Sequence, residues 1–325
     1  MDSFIFSVNA VLPIVLVVAC GYILRRVGFL NNSVTKSMNK VVFRLLLPCM
    51  LFLNVYNISS ISSVGFRYIW FSLIAVLVIF AVGIPVSIFA TKANGERGAI
   101  LQASFRSNFA LIGIPLATSL FGREGAAVAT LLSAFSIPVF NILAVISLCV
   151  FSDEKKVDIK KILLGIVKNP LIQSIALGGV CLAIRALFVN YEIAFRLSDI
   201  TPLFSVIEAF SKAATPIALM MLGAEFEISA VPTLKKQIVI GAAMRVLIVP
   251  VLVLGSAYLL GGFTGAHFAA LVALFASPVA VSSVPMAQEM GADSRLAGQL
   301  VVWTTLFSAF TIFIISFILK ALGIF

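Results

Sequence analysis

Apolar residues run along this chain in blocks about 20 residues long, separated by short clusters of charge. Wound as a helix, such a block crosses a hydrocarbon layer about 30 Å thick. The pattern predicts ten membrane-spanning helices, over residues 4–24, 38–57, 67–91, 99–121, 125–150, 168–188, 203–225, 236–260, 266–288 and 295–321. Apolar runs without alternation exclude a membrane β-barrel, whose strands switch faces at every residue. The longest gap, 151–167, is too short for a soluble domain and reads as a linker.

Spans four and nine depart from the pattern. Span four contains "FRSNFALIGIP", which sets Arg106, Ser107, Asn108, Gly113 and Pro115 into apolar sequence. Span nine carries Ser277, Pro278, Ser282, Ser283, Pro285 and Gln288. Laid over one another at an offset of 170, residues 107–117 and 277–287 match at Ser, Ala, Pro and Ala. Pro48 answers Pro216 at an offset of 168, Pro85 answers Pro250 at 165, and Pro13 in span one answers Pro170 at the start of span six. The implied organisation is two five-span repeats, 1–150 and 168–325, joined by the linker. Because five is odd, the second repeat enters the membrane inverted, a design found in secondary transporters. Two interrupted helices crossing near the midplane would bring half-helix ends around one small space. Their N-terminal amides suit a carboxylate, and irregular backbone at that depth must be satisfied by protein or by a cavity.

Composition narrows the function class. The chain is 61% hydrophobic and 11% charged, with a formal net charge of +10. Of the 23 lysines and arginines, fifteen fall on one side of the ten spans and five on the other. Short cytoplasmic loops retain such residues, so both termini are expected outside and the first span is expected to be retained rather than cleaved. The basic balance reflects this sidedness, and no aromatic-interleaved basic patch points to nucleic acid. The four cysteines are scattered one to a span and His267 stands alone, so no metal cluster is expected. Phosphate-loop and dinucleotide motifs are absent, and no nucleophile, base and orienting group converge, so neither a cofactor nor an enzymatic activity is expected.

The candidate site residues each carry two readings. Asn108 either bonds a substrate carboxylate or caps the broken helix. Pro115 and Pro285 interrupt backbone hydrogen bonding whatever the ligand. Arg106 either attracts an anion or snorkels to the headgroups, since a lone arginine at mid-membrane costs about 2.5–3.5 kcal/mol on insertion scales. Arg245, five residues before Pro250, poses the same choice and favours a structural partner. Ser107, Ser277, Ser282, Ser283 and Gln288 offer hydroxyls and an amide to a ligand, or serve as close-packing contacts. Glu208 and Lys212, four apart in span seven, are expected to pair.

At "RSNFALIGIPLATSLFG" and "SPVAVSSVPMAQEMGADSRLAGQLVVWTTLFS" the chain resembles the auxin efflux carrier family, which includes plant auxin exporters and bacterial malonate and malate permeases. The resemblance covers the whole chain. It implies an all-α membrane protein of the fold shared with bile acid sodium symporters, with broken helices four and nine crossing. In that fold spans 1, 2, 6 and 7 form a dimeric scaffold, and spans 3, 4, 5, 8, 9 and 10 form a moving, elevator-type transport domain. The plant members place an asparagine seven residues before the span-four proline at the substrate carboxylate; Asn108 and Pro115 keep that spacing, and Pro285 would correspond to the span-nine proline. The long cytoplasmic loop of the plant proteins is missing, so the chain looks like a prokaryotic member.

These readings together give an inner-membrane carrier of small organic anions, mono- or dicarboxylates, acting as a homodimer. Coupling to H+, coupling to Na+ and uniport all stay open. For an anion, an inside-negative potential of 100 mV favours export by about 2.3 kcal/mol per charge. The rival expectations are a non-transporting sensor or scaffold that retains the carrier fold, and the membrane subunit of an ATP-driven system.

Overall fold

A computed structural model describes residues 2–57, 66–151, 167–263 and 265–324. The regular elements among them are helical: α1 (Asp2–Arg26), α2 (Asn32–Val41), α3 (Leu47–Tyr56), α4 (Phe66–Ala90), α5 (Asn94–Phe105), α6 (Ile114–Val150), α7 (Pro170–Asn190), α8 (Thr201–Glu225), α9 (Lys235–Ala243), α10 (Val249–Leu260), α11 (Gly265–Phe275), α12 (Ser283–Glu289) and α13 (Ser294–Ala321). Residues 152–166, most of the expected linker, lie outside the described residues. Seven helical stretches among the described residues are long and apolar enough to cross a membrane, and α11 is a shorter apolar helix.

Three of these stretches contain a π-turn placed one residue before a proline, joining two helical pieces in two of them and opening the third. Val42–Leu46 precedes Leu47-Pro48, Phe109–Gly113 precedes Ile114-Pro115, and Met244–Ile248 precedes Val249-Pro250. In each case the residue before the proline donates its N–H five residues back, to Val42, Phe109 or Met244. A proline ring crowds the carbonyl four residues earlier, and widening the turn relieves that clash without ending the helix. Pro48, Pro115 and Pro250 therefore act as joints rather than as stops.

The longest stretch, Phe109–Val150, is one helix only by its hydrogen-bond pattern. It bends at Phe121 and Gly122, where Gly122 has φ 58° and ψ −147°. That region of backbone space is open essentially to glycine alone. The bend separates spans four and five close to the expected boundary.

Two helix pairs stand against each other as closely as backbone permits. A Cβ on Gly21 of α1 would meet the Met220 carbonyl oxygen of α8 at 1.9 Å, and one on Gly223 of α8 would meet the Val18 carbonyl oxygen at the same distance. Likewise α7 packs on α3, where a Cβ on Gly178 would lie 2.9 Å from the Phe52 carbonyl oxygen. Small residues at such contacts are how helices associate where lipid is as apolar as the side chains.

The core centres on α11, in which Ala266 and every residue from Phe268 to Phe275 are buried. It lies against α6, and a helix apolar on all sides is stable only when it is surrounded. The outward faces of α4, α7 and α10 carry Trp70, Leu77, Leu177, Leu187, Leu252 and Leu259, all exposed and apolar, as a lipid-facing surface requires.

Candidate functional site

The helical pattern stops twice, after Phe105 and after Phe275, and the two interruptions lie against each other. Ser107 and Val279 form an antiparallel bridge. The Asn108 N–H donates to the Pro278 carbonyl at 2.8 Å, and the Ala280 N–H donates to the Arg106 carbonyl at 3.3 Å. Each broken segment thus satisfies backbone groups that the other leaves open, which is the condition for irregular backbone among apolar helices. Gly113 permits the approach: a Cβ there would lie 2.7 Å from the Ala273 carbonyl oxygen and 2.3 Å from the Phe109 ring. From α13, Thr304 closes the far side by accepting the Val279 N–H at 3.1 Å and donating to the Leu300 carbonyl at 2.6 Å.

The interruptions fall at residues 106–108 and 276–282, not at Pro115 or Pro285. Pro115 follows the π-turn with which span four has already resumed at Phe109, and Pro285 sits in the first turn of α12, where a missing N–H removes no intrahelical bond. Pro278 is the proline at the break itself.

A small cavity of about 60 Å³ opens beside the bridge. Its polar wall is Arg106, Ser107, Asn108, Asn141 and Ser282; its apolar wall includes Leu47, Met50, Leu51, Phe140, Leu171 and Ala218, with Asn54 and Thr215 at the rim. The Ser107 hydroxyl and the Asn108 side-chain amide nitrogen are buried and have no hydrogen-bond partner. Unpaired donors in such a place cost about 1–3 kcal/mol each, a cost that an acceptor entering the adjoining cavity would relieve. Phe109, Ala110 and Leu111, the first residues of the resuming helix, line the same space, and N–H groups in such a first turn have no intrahelical acceptor.

Arg106 is 2% exposed, so it does not snorkel. Its guanidinium donates to the Asn141 side-chain carbonyl at 2.8 Å and to the Ser282 hydroxyl at 2.9 Å, and reaches the Met286 sulfur at 3.1 Å and the Gln102 side-chain oxygen at 3.4 Å. All four partners are neutral. No carboxylate pairs with Arg106 among the described residues, where the ion pairs seen are Arg44–Glu289 and Lys212–Glu208.

Arg245, fully buried, serves a different end of the same crossing. Its guanidinium donates to the Ser277 and Leu274 carbonyls at 2.8 Å each and to the Phe105 and Ser104 carbonyls at 3.3 and 3.4 Å. These carbonyls close α5 and α11, whose last turns have no intrahelical donors.

The remaining candidates divide. Ser282 lines the cavity, whereas the Ser277 hydroxyl donates to the Ala273 carbonyl at 2.6 Å and faces its own helix. Ser283 is buried with an unpaired hydroxyl but lies outside the cavity lining. Gln288 lies more than a turn farther on, where it accepts from Asn39 and borders a separate opening of about 670 Å³ with Arg25, Arg26, Lys36 and Arg295. At the opposite end, a space of about 450 Å³ shares Met50, Asn54, Ala110, Leu111 and Thr215 with the small cavity and reaches Lys212. Asn141, Asn54 and Thr215 line the cavity and were not singled out in the sequence. Asn141 carried a usable signal, as a lone amide in the apolar run of span five.

A family model described as a membrane transport protein matches residues 6–316. The chain belongs to this family, that of the auxin efflux carriers. A relative from Methanothermobacter thermautotrophicus, an uncharacterized transporter, is 22% identical over 319 residues, which cover 94% of this chain and 96% of the relative. The protein is accordingly a multi-pass membrane transporter embedded in the bilayer, and its family is not one of enzymes.

Proposed function

We propose that this auxin efflux carrier family member moves small organic anions, mono- or dicarboxylates, as a secondary carrier or uniporter. In this reading ten spans form two inverted five-helix repeats, and the anion binds beside the crossing of spans four and nine. Alternating access follows from an elevator-type movement of spans 3, 4, 5, 8, 9 and 10 past a scaffold of spans 1, 2, 6 and 7. The carrier is a homodimer in the inner membrane with both termini outside.

The observation that carries the proposal is the pair of unpartnered buried donors, on Ser107 and Asn108, beside a buried Arg106 with only neutral partners. A buried cation without a counter-charge is unfavourable in a low-dielectric interior. A carboxylate in the cavity would supply that charge and would accept from Ser107 and Asn108 as well. Bonds to a charged group contribute about 1.5–3 kcal/mol each, enough to select an anion over a neutral analogue.

The test is uptake of labelled malonate, malate, short monocarboxylates and indole-3-acetate into proteoliposomes holding this chain alone, under imposed pH, sodium and voltage gradients. Saturable uptake of one acid is expected, and Asn108→Ala should reduce it at least tenfold while the variant stays folded. If no acid moves under any gradient, the carrier reading fails.

A further inference from the structure

We propose that Arg245 is the resident counter-cation of the crossing, occupying the carbonyl cluster that a coupling cation would need, so that transport proceeds without sodium. This rests on the carrier reading above.

Interrupted membrane helices present two kinds of end. Their N-terminal ends face outward with N–H groups and suit anions; their C-terminal ends, with unwound carbonyls, are where transporters of this general design hold a coupling cation. Here the two kinds are separated in space. The resuming helix at Phe109, with Ser107 and Asn108, faces the cavity. The ending helices α5 and α11 instead converge on Arg245, which bonds carbonyls of both. Each helix C-terminus carries about half a negative charge. Two of them together amount to about one negative charge, which a single guanidinium balances.

Neighbouring carbonyls are also taken. The Pro278 carbonyl accepts from the Asn108 N–H, the Arg106 carbonyl from the Ala280 N–H, the Ala273 carbonyl from the Ser277 hydroxyl and the Val272 carbonyl from the Ala276 N–H. A sodium ion entering this cluster would have to displace fixed donors. It would also leave a second positive charge uncompensated in a buried site, close to Arg106 in sequence and space. A guanidinium suits the role because its fork of donors reaches two helix ends at once, which an ammonium does not.

The experiment compares the full-length protein in sodium and in choline salts at equal ionic strength, pH and voltage. Wild-type uptake is expected to change by less than twofold on replacing sodium, and the thermal midpoint of the purified protein is expected to be the same in both salts. Arg245→Ala, if it folds, should lose uptake and regain thermal stability with low-millimolar guanidinium, which refills the vacated position; wild type should show no such gain. A saturable sodium requirement for wild-type uptake, or a sodium-specific rise in the wild-type midpoint, overturns the inference. So does an Arg245→Ala variant with wild-type uptake and no response to guanidinium. Uptake that needs sodium leaves the carrier reading standing while removing this one. Absence of uptake of any acid removes the carrier reading, and the midpoint comparison still decides whether the crossing binds sodium.

Discussion

Replacing Arg106 with methionine should separate stability from transport, because transport depends on its charge while its contributions to stability offset one another. The guanidinium is buried against Asn141, Ser282, Met286 and Gln102, none of them charged. Removing it orphans chiefly the Asn141 side-chain carbonyl, which costs about 1–3 kcal/mol. Against this, the change removes an arginine whose placement in apolar surroundings costs about 2.5–3.5 kcal/mol on insertion scales. Methionine fills similar length without a polar group. The two terms nearly cancel, so the unfolding midpoint of Arg106→Met in detergent should stay within a few degrees of wild type. Transport should lose apparent affinity. Losing a charge-assisted bond worth about 1.5–3 kcal/mol weakens anion binding about 10- to 150-fold. Concentration-dependent uptake in proteoliposomes measures the second effect, and Arg106→Lys, which keeps the charge but not the fork, should fall between. Wild-type apparent affinity in a folded Arg106→Met would refute the electrostatic argument. Collapse of the fold would show that the four neutral contacts outweigh the burial penalty.

Asn141→Asp places a carboxylate 2.8 Å from the Arg106 guanidinium, so an internal anion should compete with substrate; the apparent KM should rise at least tenfold with stability held or improved. Thr304→Val leaves the buried Val279 N–H without its acceptor, which should destabilise by about 1–3 kcal/mol, read as a lowered unfolding midpoint. Gly223→Ala drives a Cβ against the Val18 carbonyl at 1.9 Å, and separating α1 from α8 should cost at least about 1–3 kcal/mol, again measured by unfolding.

The sequence announces the spans and the two interruptions for the same reason. Apolar length sets membrane crossing, and polar residues within such a length stand out because lipid penalises them. Arg106, Asn108 and the Ser277-Pro278 pair are visible in this way. What they touch is not. Arg245 bonds backbone carbonyls, which every residue possesses, so no side-chain pattern identifies its partners. Asn141 meets Arg106 only because α6 bends at Gly122 and returns beside α5. Gln288 looks equivalent to Ser282 in a list of polar residues, yet six residues of near-helical chain carry it about 9 Å toward the basic end. The prolines mislead more subtly. Pro115 and Pro285 lie beyond the interruptions, which are held by the paired backbone around Ser107 and Pro278.

The distribution of polar contacts bears on how the proposed movement could proceed. The cavity wall supplied by α3, α7 and α8 is apolar at Leu47, Met50, Leu51, Leu171 and Ala218, with Asn54 and Thr215 as its polar exceptions. The bonded groups facing it, around Arg106, Asn141 and Ser282, are tied to one another and not to that wall. Between the proposed scaffold and transport groups, polar side-chain contacts gather at the basic end: Asn39 with Gln288, Arg44 with Glu289 at 3.6 Å, and the Gln299 amide donating to the Glu227 carbonyl at 2.7 Å. Exposed ion pairs contribute about 0–1 kcal/mol and neutral hydrogen bonds about 0.5–1.5 kcal/mol. Releasing that end therefore requires a few kcal/mol, within what differential ligand binding supplies to a two-state equilibrium. An anion in the cavity would touch Arg106 and Asn108 on one group and lie against Asn54 and Thr215 on the other. In the proposed movement it would lie on a surface where the described residues show no hydrogen bond between the two groups, next to the 450 Å³ space that shares lining residues with the cavity.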